Sequence, residues 1–157
     1  MSKENGALAT ILDETHVLHK KGYNCSEATA WALAKYWDLD LNVGSVTGLG
    51  GGIARSGETC GALTGAIVAM STKVGRVDPA DDAKKALCYR LGQLATEGFV
   101  KEMGTSACRS IIGFVLGEPG GPQKYAAGGF KEGKCQDAMD AAVKAAVAAV
   151  ESMEAQG

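Results

Sequence analysis

Glycine is bunched in this chain, and where it is bunched no regular element can run far. Gly44, Gly48, Gly50, Gly51, Gly52 and Gly57 crowd one stretch, and Gly117, Gly120, Gly121, Gly128, Gly129 and Gly133 another, among 22 glycines in 157 residues. A residue without Cβ loses the most backbone freedom on ordering, so such clusters break helices and strands alike. Two Gly-rich loops are therefore expected, over 38–57 and 117–134, the second irregular and partly exposed. Between them apolar residues recur at helical spacing. Leu8, Ile11, Leu12, Val17 and Leu18 mark a helix over 6–21 with Gly22 past its end. Asn24 with Glu27 three residues on opens a second, over 25–36. Thr59 is placed to cap a third, over 60–73, closed by Gly75. Asp78-Pro79 starts a long fourth that ends before Gly104. Thr105 or Ser106 caps a short fifth through Cys108, Ile111 and Ile112. An Ala-rich run over 135–153, with Val143, Val147 and Val150, makes the sixth. With no sustained alternation and no internal repeat, the pattern predicts an all-α fold: a compact helical bundle of five or six helices in one domain, 1–157.

Composition removes whole classes of function. The net charge is −2 and no run of Lys or Arg exceeds two residues, so neither nucleic acid nor an anionic membrane is expected as a partner. No stretch approaches the roughly 18 apolar residues of a membrane helix. The first residues lack the basic region and apolar core of a secretory signal, so a cytoplasmic location is expected.

The five cysteines, Cys25, Cys60, Cys88, Cys108 and Cys135, are 35, 28, 20 and 27 positions apart. An odd count, spread this widely, is not the framework of a small disulfide-stapled domain, and without any C-x-x-C pair there is no thioredoxin-type or haem-attachment motif. Any site must be assembled by folding. Cys25, Cys60, Cys108 and Cys135 all fall in the first turn of an expected helix, where unpaired N–H groups and the positive end of the dipole favour thiolate and should lower the thiol pKa. Cys60 heads the stripe Leu63, Ile67, Met70 and Val74, Cys135 heads Met139, Val143 and Val147, and Cys108 leads Ile111 and Ile112. Three helix starts therefore aim sulfur at the interior, and one pocket is expected to gather them. Cys88, beside Leu87 and Leu91, is expected only to pack.

The segments Tyr23-Asn24-Cys25, Gly50-Gly51-Gly52, Gly57-Glu58-Thr59-Cys60-Gly61-Ala62-Leu63-Thr64-Gly65-Ala66, Gly104-Thr105, Ala107-Cys108-Arg109 and Cys135 resemble the C_GCAxxG_C_C family, described as redox-active proteins of about this length. The resemblance maps the four family cysteines onto Cys25, Cys60, Cys108 and Cys135 and leaves Cys88 unmatched. A related domain occurs in split-Soret cytochromes, where an iron-sulfur centre accompanies haem. That resemblance implies a cluster here, without the haem.

Three readings of the cysteines follow. In the leading one some or all of the four thiolates, the usual ligand set for a two-iron or four-iron centre, hold an iron-sulfur cluster for electron transfer with a redox partner protein. Gly50, Gly51 and Gly52 would turn N–H groups toward the sulfurs, and Gly61 and Gly65 would leave room for the cluster, close helix packing being their alternative role. The second is cluster-free thiol–disulfide exchange. The third, structural zinc, suffers from the absence of close C-x₂₋₄-C pairs. A non-catalytic helical interaction module, or a homodimer packed through small-residue faces, is the plainest alternative. Arg55, Glu58 and Arg109 are expected as solvated helix-end charges. His16 and His19, three apart on one helix, share a face but lack a nearby third ligand. The 48–57 stretch is no phosphate loop, having neither a Gly-Lys-Ser/Thr ending nor a preceding strand.

Overall fold

The computed structural model describes residues 3–157, with side chains from Gly6 onward. Seven α-helices follow in order: α1 Lys3–Lys20, α2 Cys25–Tyr36, α3 Gly61–Val74, α4 Asp82–Met103, α5 Cys108–Ile112, α6 Gly121–Ala127 and α7 Lys134–Gln156. A 3-10 helix, Val43–Leu49, lies between α2 and α3. Among the described residues there is no strand, only one antiparallel bridge between Thr59 and Ala107. The fold is all-α as expected. Among the described residues the count rises from the expected five or six helices to eight because a short helix forms inside each Gly-rich stretch.

In the first stretch, Asn42 accepts a hydrogen bond from the Gly44 amide and starts the 3-10 turn. In the second, α6 corrects the expectation of irregular chain: Gly120 takes a left-handed φ of 81° and Pro122 lies in the first turn, where its missing N–H costs nothing. Three helix starts also move. Asp78 turns its carboxylate to the Ala80 amide instead of opening a helix, and α4 is capped by Asp81, which accepts from Lys84 N. Thr59 pairs with Ala107 across the bridge, leaving Cys60 itself as the N-cap of α3. Thr105 Oγ1 accepts from Ala107 N, so the N-cap of α5 is Ala107. At Asp78 and Thr105 a local turn takes up the polar side chain first, and at Thr59 backbone bridging holds the residue outside the helix. The cap read at Asn24 holds in full: its side chain accepts from Glu27 N while Glu27 returns to Asn24 N.

Small residues let the helices close on one another. Ala28, Ala32 and Leu33 of α2, Ala62, Leu63, Ala66, Ala69 and Met70 of α3, Leu91, Ala95 and Phe99 of α4, and Met139, Ala142, Val143 and Ala146 of α7 form one buried cluster. Phe99, Leu33 and Leu63 are at most 1% exposed, each burial being worth about 1.5–3 kcal/mol. Gly65 permits the α2–α3 approach, since a Cβ there would lie 2.4 Å from the carbonyl oxygen of Ser26. This bundle leaves the starts of α2, α3, α5 and α7 at one place.

Candidate functional site

Cys25 is the first residue of α2, Cys60 the N-cap of α3, Cys108 the first residue of α5 and Cys135 the second of α7. All four line one half-open cavity of about 540 Å³, and all are free thiols. Cys88 lies elsewhere, on α4, its sulfur 3.3 Å from Ser71 Oγ.

Backbone pairing sets two of the positions. Cys60 N donates to Ser106 O at 2.8 Å and Cys108 N to Glu58 O at 2.7 Å, so the bridge that joins these segments also carries both thiols into the cavity wall. Cys25 is fixed by the capping box and by Asn24 Nδ2, which donates to Thr47 O at 3.0 Å. The glycines fit around the sulfurs. A Cβ on Gly61 would lie 2.6 Å from Cys25 Sγ, one on Gly52 would lie 2.7 Å from Cys108 Cβ, and one on Gly50 would strike the Asn24 amide. Gly50 and Gly51 line the cavity, whereas Gly52, Gly61 and Gly65 do not.

Between Gly50 and Ser56 the chain makes a turn of unusual hand. Gly51, Gly52, Ile53, Ala54 and Arg55 have φ of 67°, 71°, 61°, 50° and 65°, and the Ile53 and Arg55 amides donate to Leu49 O and Gly50 O, both at 3.1 Å. For residues with Cβ this left-handed conformation costs roughly 1–2 kcal/mol each. Gly117 N holds Arg55 O at 2.9 Å from outside. The turn presents the Gly51 amide to the Cys25 sulfur.

The electrostatics reverse the expected shift of the four thiols. Burial pushes Cys25 up from its ordinary value, and the amides of Gly51, Ser26 and Ala62 offset only part of this. Burial also pushes up Cys60, joined by repulsion from Cys25 and Cys108 and opposed by the Ala62 and Leu63 amides. Cys108 is pushed up to about 11 by burial and then by Cys25 and Cys135. Cys135 rises by burial, with the Tyr125 hydroxyl donating to its sulfur and holding it down. The helix starts do supply N–H groups to sulfur, but desolvation and crowding of like charges are the larger effects.

Of the charges near these cysteines, Arg109 binds back to the chain through Gly57 O and the Glu58 carboxylate, while Arg55 lines the cavity. Three further lining residues, His19, Tyr125 and Lys131, carry polar groups that sequence reading did not assign to the site. Tyr125 comes from α6 and Lys131 from the turn after it, within the segment expected to be irregular. The two histidines part company: His16 pairs with Asp140 at 2.6 Å, and His19 alone reaches the cavity. Among the described residues, no three His, Cys, Asp or Glu side chains are close enough to hold a single metal ion.

Compared with known proteins, residues 23–149 match a family model described as "Putative redox-active protein (C_GCAxxG_C_C)". No curated protein and no solved structure matches the chain. Among the described residues, no helix is long and apolar enough to cross a membrane.

Proposed function

The chain belongs to the C_GCAxxG_C_C family of redox-active proteins, and from that premise we propose that Cys25, Cys60, Cys108 and Cys135 hold an iron-sulfur cluster that exchanges electrons with a partner protein. The observation that carries this reading is the meeting of four chain-distant thiols in one cavity whose surroundings penalise free thiolate. A thiol kept protonated at neutral pH is a slow nucleophile, whereas a bound metal displaces its proton and cancels the repulsion among neighbouring sulfurs. The donor set is four sulfurs, the usual ligand set of an iron-sulfur centre.

When bound, such a cluster supplies a redox couple tuned by hydrogen bonds to sulfur and by exposure to solvent. The chain's own groups do the tuning. Amides of Gly51 and Ala62 donate toward Cys25, those of Ala62 and Leu63 toward Cys60, and the Tyr125 hydroxyl toward Cys135. Arg55 and Lys131 bring positive charge to the wall, and Ile111, Ile112 and Leu116 keep part of it apolar. The half-open side leaves a route for an electron partner.

Protein reconstituted without oxygen is expected to be brown and to contain iron and acid-labile sulfide, both abolished by Cys60→Ser. Protein that stays colourless after reconstitution while its four thiols remain titratable would overturn the proposal. Cluster-free thiol–disulfide exchange is the second reading, favoured by the electrostatic proximity of Cys25 to Cys60, Cys108 and Cys135. It requires titratable thiols to disappear in pairs on mild oxidation of the colourless protein.

A further inference from the structure

The thiol cavity is larger than a cluster needs, and the charge on its wall is of one sign. Its volume of about 540 Å³ is the share of about 18 water molecules in the liquid and falls among pockets that take whole organic molecules, whereas a four-iron core adds four irons and four sulfides. Besides the sulfurs, much of the wall is apolar, formed by Ile111, Ile112, Leu116 and Pro122. The charged residues on it are Arg55 and Lys131, and among the described residues no Asp or Glu lines it, in a chain that has 18 of them. Among the described residues neither cation forms an ion pair. Glu58, three residues beyond Arg55, is held by Arg109, and Glu132, next to Lys131, is exposed. Lys131 itself is half-buried, where an unpaired charge is costly. Arg55 is the last of three consecutive left-handed residues with a Cβ, and Gly117 N holds its carbonyl at 2.9 Å. Strain of this kind persists where the surroundings over-determine it, and it gathers at ligand clamps.

We propose that this cavity binds a small organic anion beside the thiols, its carboxylate or phosphate group on Arg55 and Lys131 and its apolar body on Ile111, Ile112, Leu116 and Pro122. Binding of the anion does not need the cluster; that it lies next to a redox centre rests on the reading given above. A guanidinium offers a planar fork that takes a carboxylate or phosphate through two parallel hydrogen bonds, and an ammonium adds a point charge. An acidic protein surface is the poorer occupant, because it would meet the exposed Arg55 but leave half-buried Lys131 and the apolar wall unfilled. Neutralising the cluster alone is the competing role for the two cations, and an anion titration separates it.

The chain has five isoleucines; Ile111 and Ile112 line this cavity while Ile11, Ile53 and Ile67 do not, so isoleucine methyl resonances carry their own controls. The full-length cluster-free chain is titrated with benzoate and with phenyl phosphate, and with benzyl alcohol as the uncharged match. Saturable shifts of the Ile111 and Ile112 methyls with an anion are expected, with benzyl alcohol about tenfold weaker or more; the tighter of the two anions identifies the charged group. Arg55→Gln and Lys131→Gln should each weaken that anion by about tenfold and leave benzyl alcohol unchanged, while Arg55→Lys and Lys131→Arg retain binding. Equal affinity for benzyl alcohol, shifts confined to the other three isoleucines, or no shift with either anion overturns the inference. In cluster-loaded protein the saturating anion should lower the reduction potential, since added negative charge disfavours the incoming electron; binding lost on loading would assign the cations to the cluster and overturn the inference. Anion binding in a chain that assembles no cluster overturns the proposed function and supports this inference, and a cluster in a chain that binds neither anion does the reverse.

Discussion

Gly65 and Gly92 sit inside helices and face opposite surroundings, so the same substitution should change stability in opposite directions. A Cβ on Gly65 would lie 2.4 Å from Ser26 O and 2.9 Å from Ser26 Cα. Ordinary contact begins near 3.4 Å, so α2 and α3 must part by about 1 Å, from 3.4 − 2.4. Neither atom can swing aside, because both belong to the backbone of a capped helix. Forcing extra volume into a tight core costs about 1–3 kcal/mol, and the gain from removing a helical glycine returns only about 0.5–1 kcal/mol. Gly65→Ala should therefore be destabilised by roughly 1–2 kcal/mol net, a fall in Tm of about 2–8 °C for a chain of this size. Gly92 has nothing within 4 Å of its Cβ position. Gly92→Ala should keep the helix gain alone and raise Tm by about 1–4 °C. Urea and thermal unfolding of the two variants beside the parent protein read both signs. A Gly65→Ala protein as stable as the parent would refute the α2–α3 distance on which the placement of Cys25 depends. Equal losses in both variants would refute the argument from local space.

Other outcomes test separate parts of the molecule. Ile53 holds a left-handed φ of 61° with its side chain 44% exposed. Ile53→Gly therefore removes about 1–2 kcal/mol of conformational cost but gives up the buried half of the side chain and adds unfolded-chain entropy, together about 1–2.5 kcal/mol, so the urea midpoint should stay close to the parent's; a large fall would show that the left-handed conformation carries no such cost. For cluster-free protein, the unfolded chain releases thiol protons near the ordinary value of 9.0 while folded Cys108 retains its proton to about 11. The folded state then binds more protons, so stability should be full below pH 9, fall as pH rises from about 9 to 11, and fall less steeply in Cys108→Ala, where the other three raised thiols still contribute. Cys88→Ala should cost on the order of 1 kcal/mol, read by unfolding, with iron content unchanged; loss of iron would place Cys88 in the site. Tyr125→Phe removes the donor that holds Cys135 down, so alkylation of Cys135 at pH 8 should slow severalfold, and an unchanged rate would show that the hydroxyl is not directed at that sulfur.

What could be read from the chain alone divides by range. The Asn24–Glu27 box, the Gly75 and Gly104 stops and the four cysteines at helix starts are decided within a few residues, and local rules reach that far. The shift of the thiols is not decided there. The rule that a helix start favours thiolate is correct about the amides of Ser26, Ala62 and Leu63, yet its sign is overturned by a property no neighbouring residue encodes, the burial of four sulfurs in one cavity. His16 and His19 show the same boundary. Three residues apart they are neighbours on a helix face, but that face straddles two surroundings, and Asp140, far along the chain, takes one imidazole while the cavity takes the other. Tyr125 and Lys131 carried no motif at all. They reach the wall only because Gly120 and Pro122 start a helix in a segment whose glycines pointed to irregular chain. The second Gly-rich stretch is thus part of the site. Its glycines permit the short α6 that brings a hydroxyl to Cys135, much as the first stretch permits the left-handed turn that brings an amide to Cys25. Both depend on backbone conformations that a Cβ resists, which is why glycine clusters beside the cysteines rather than elsewhere.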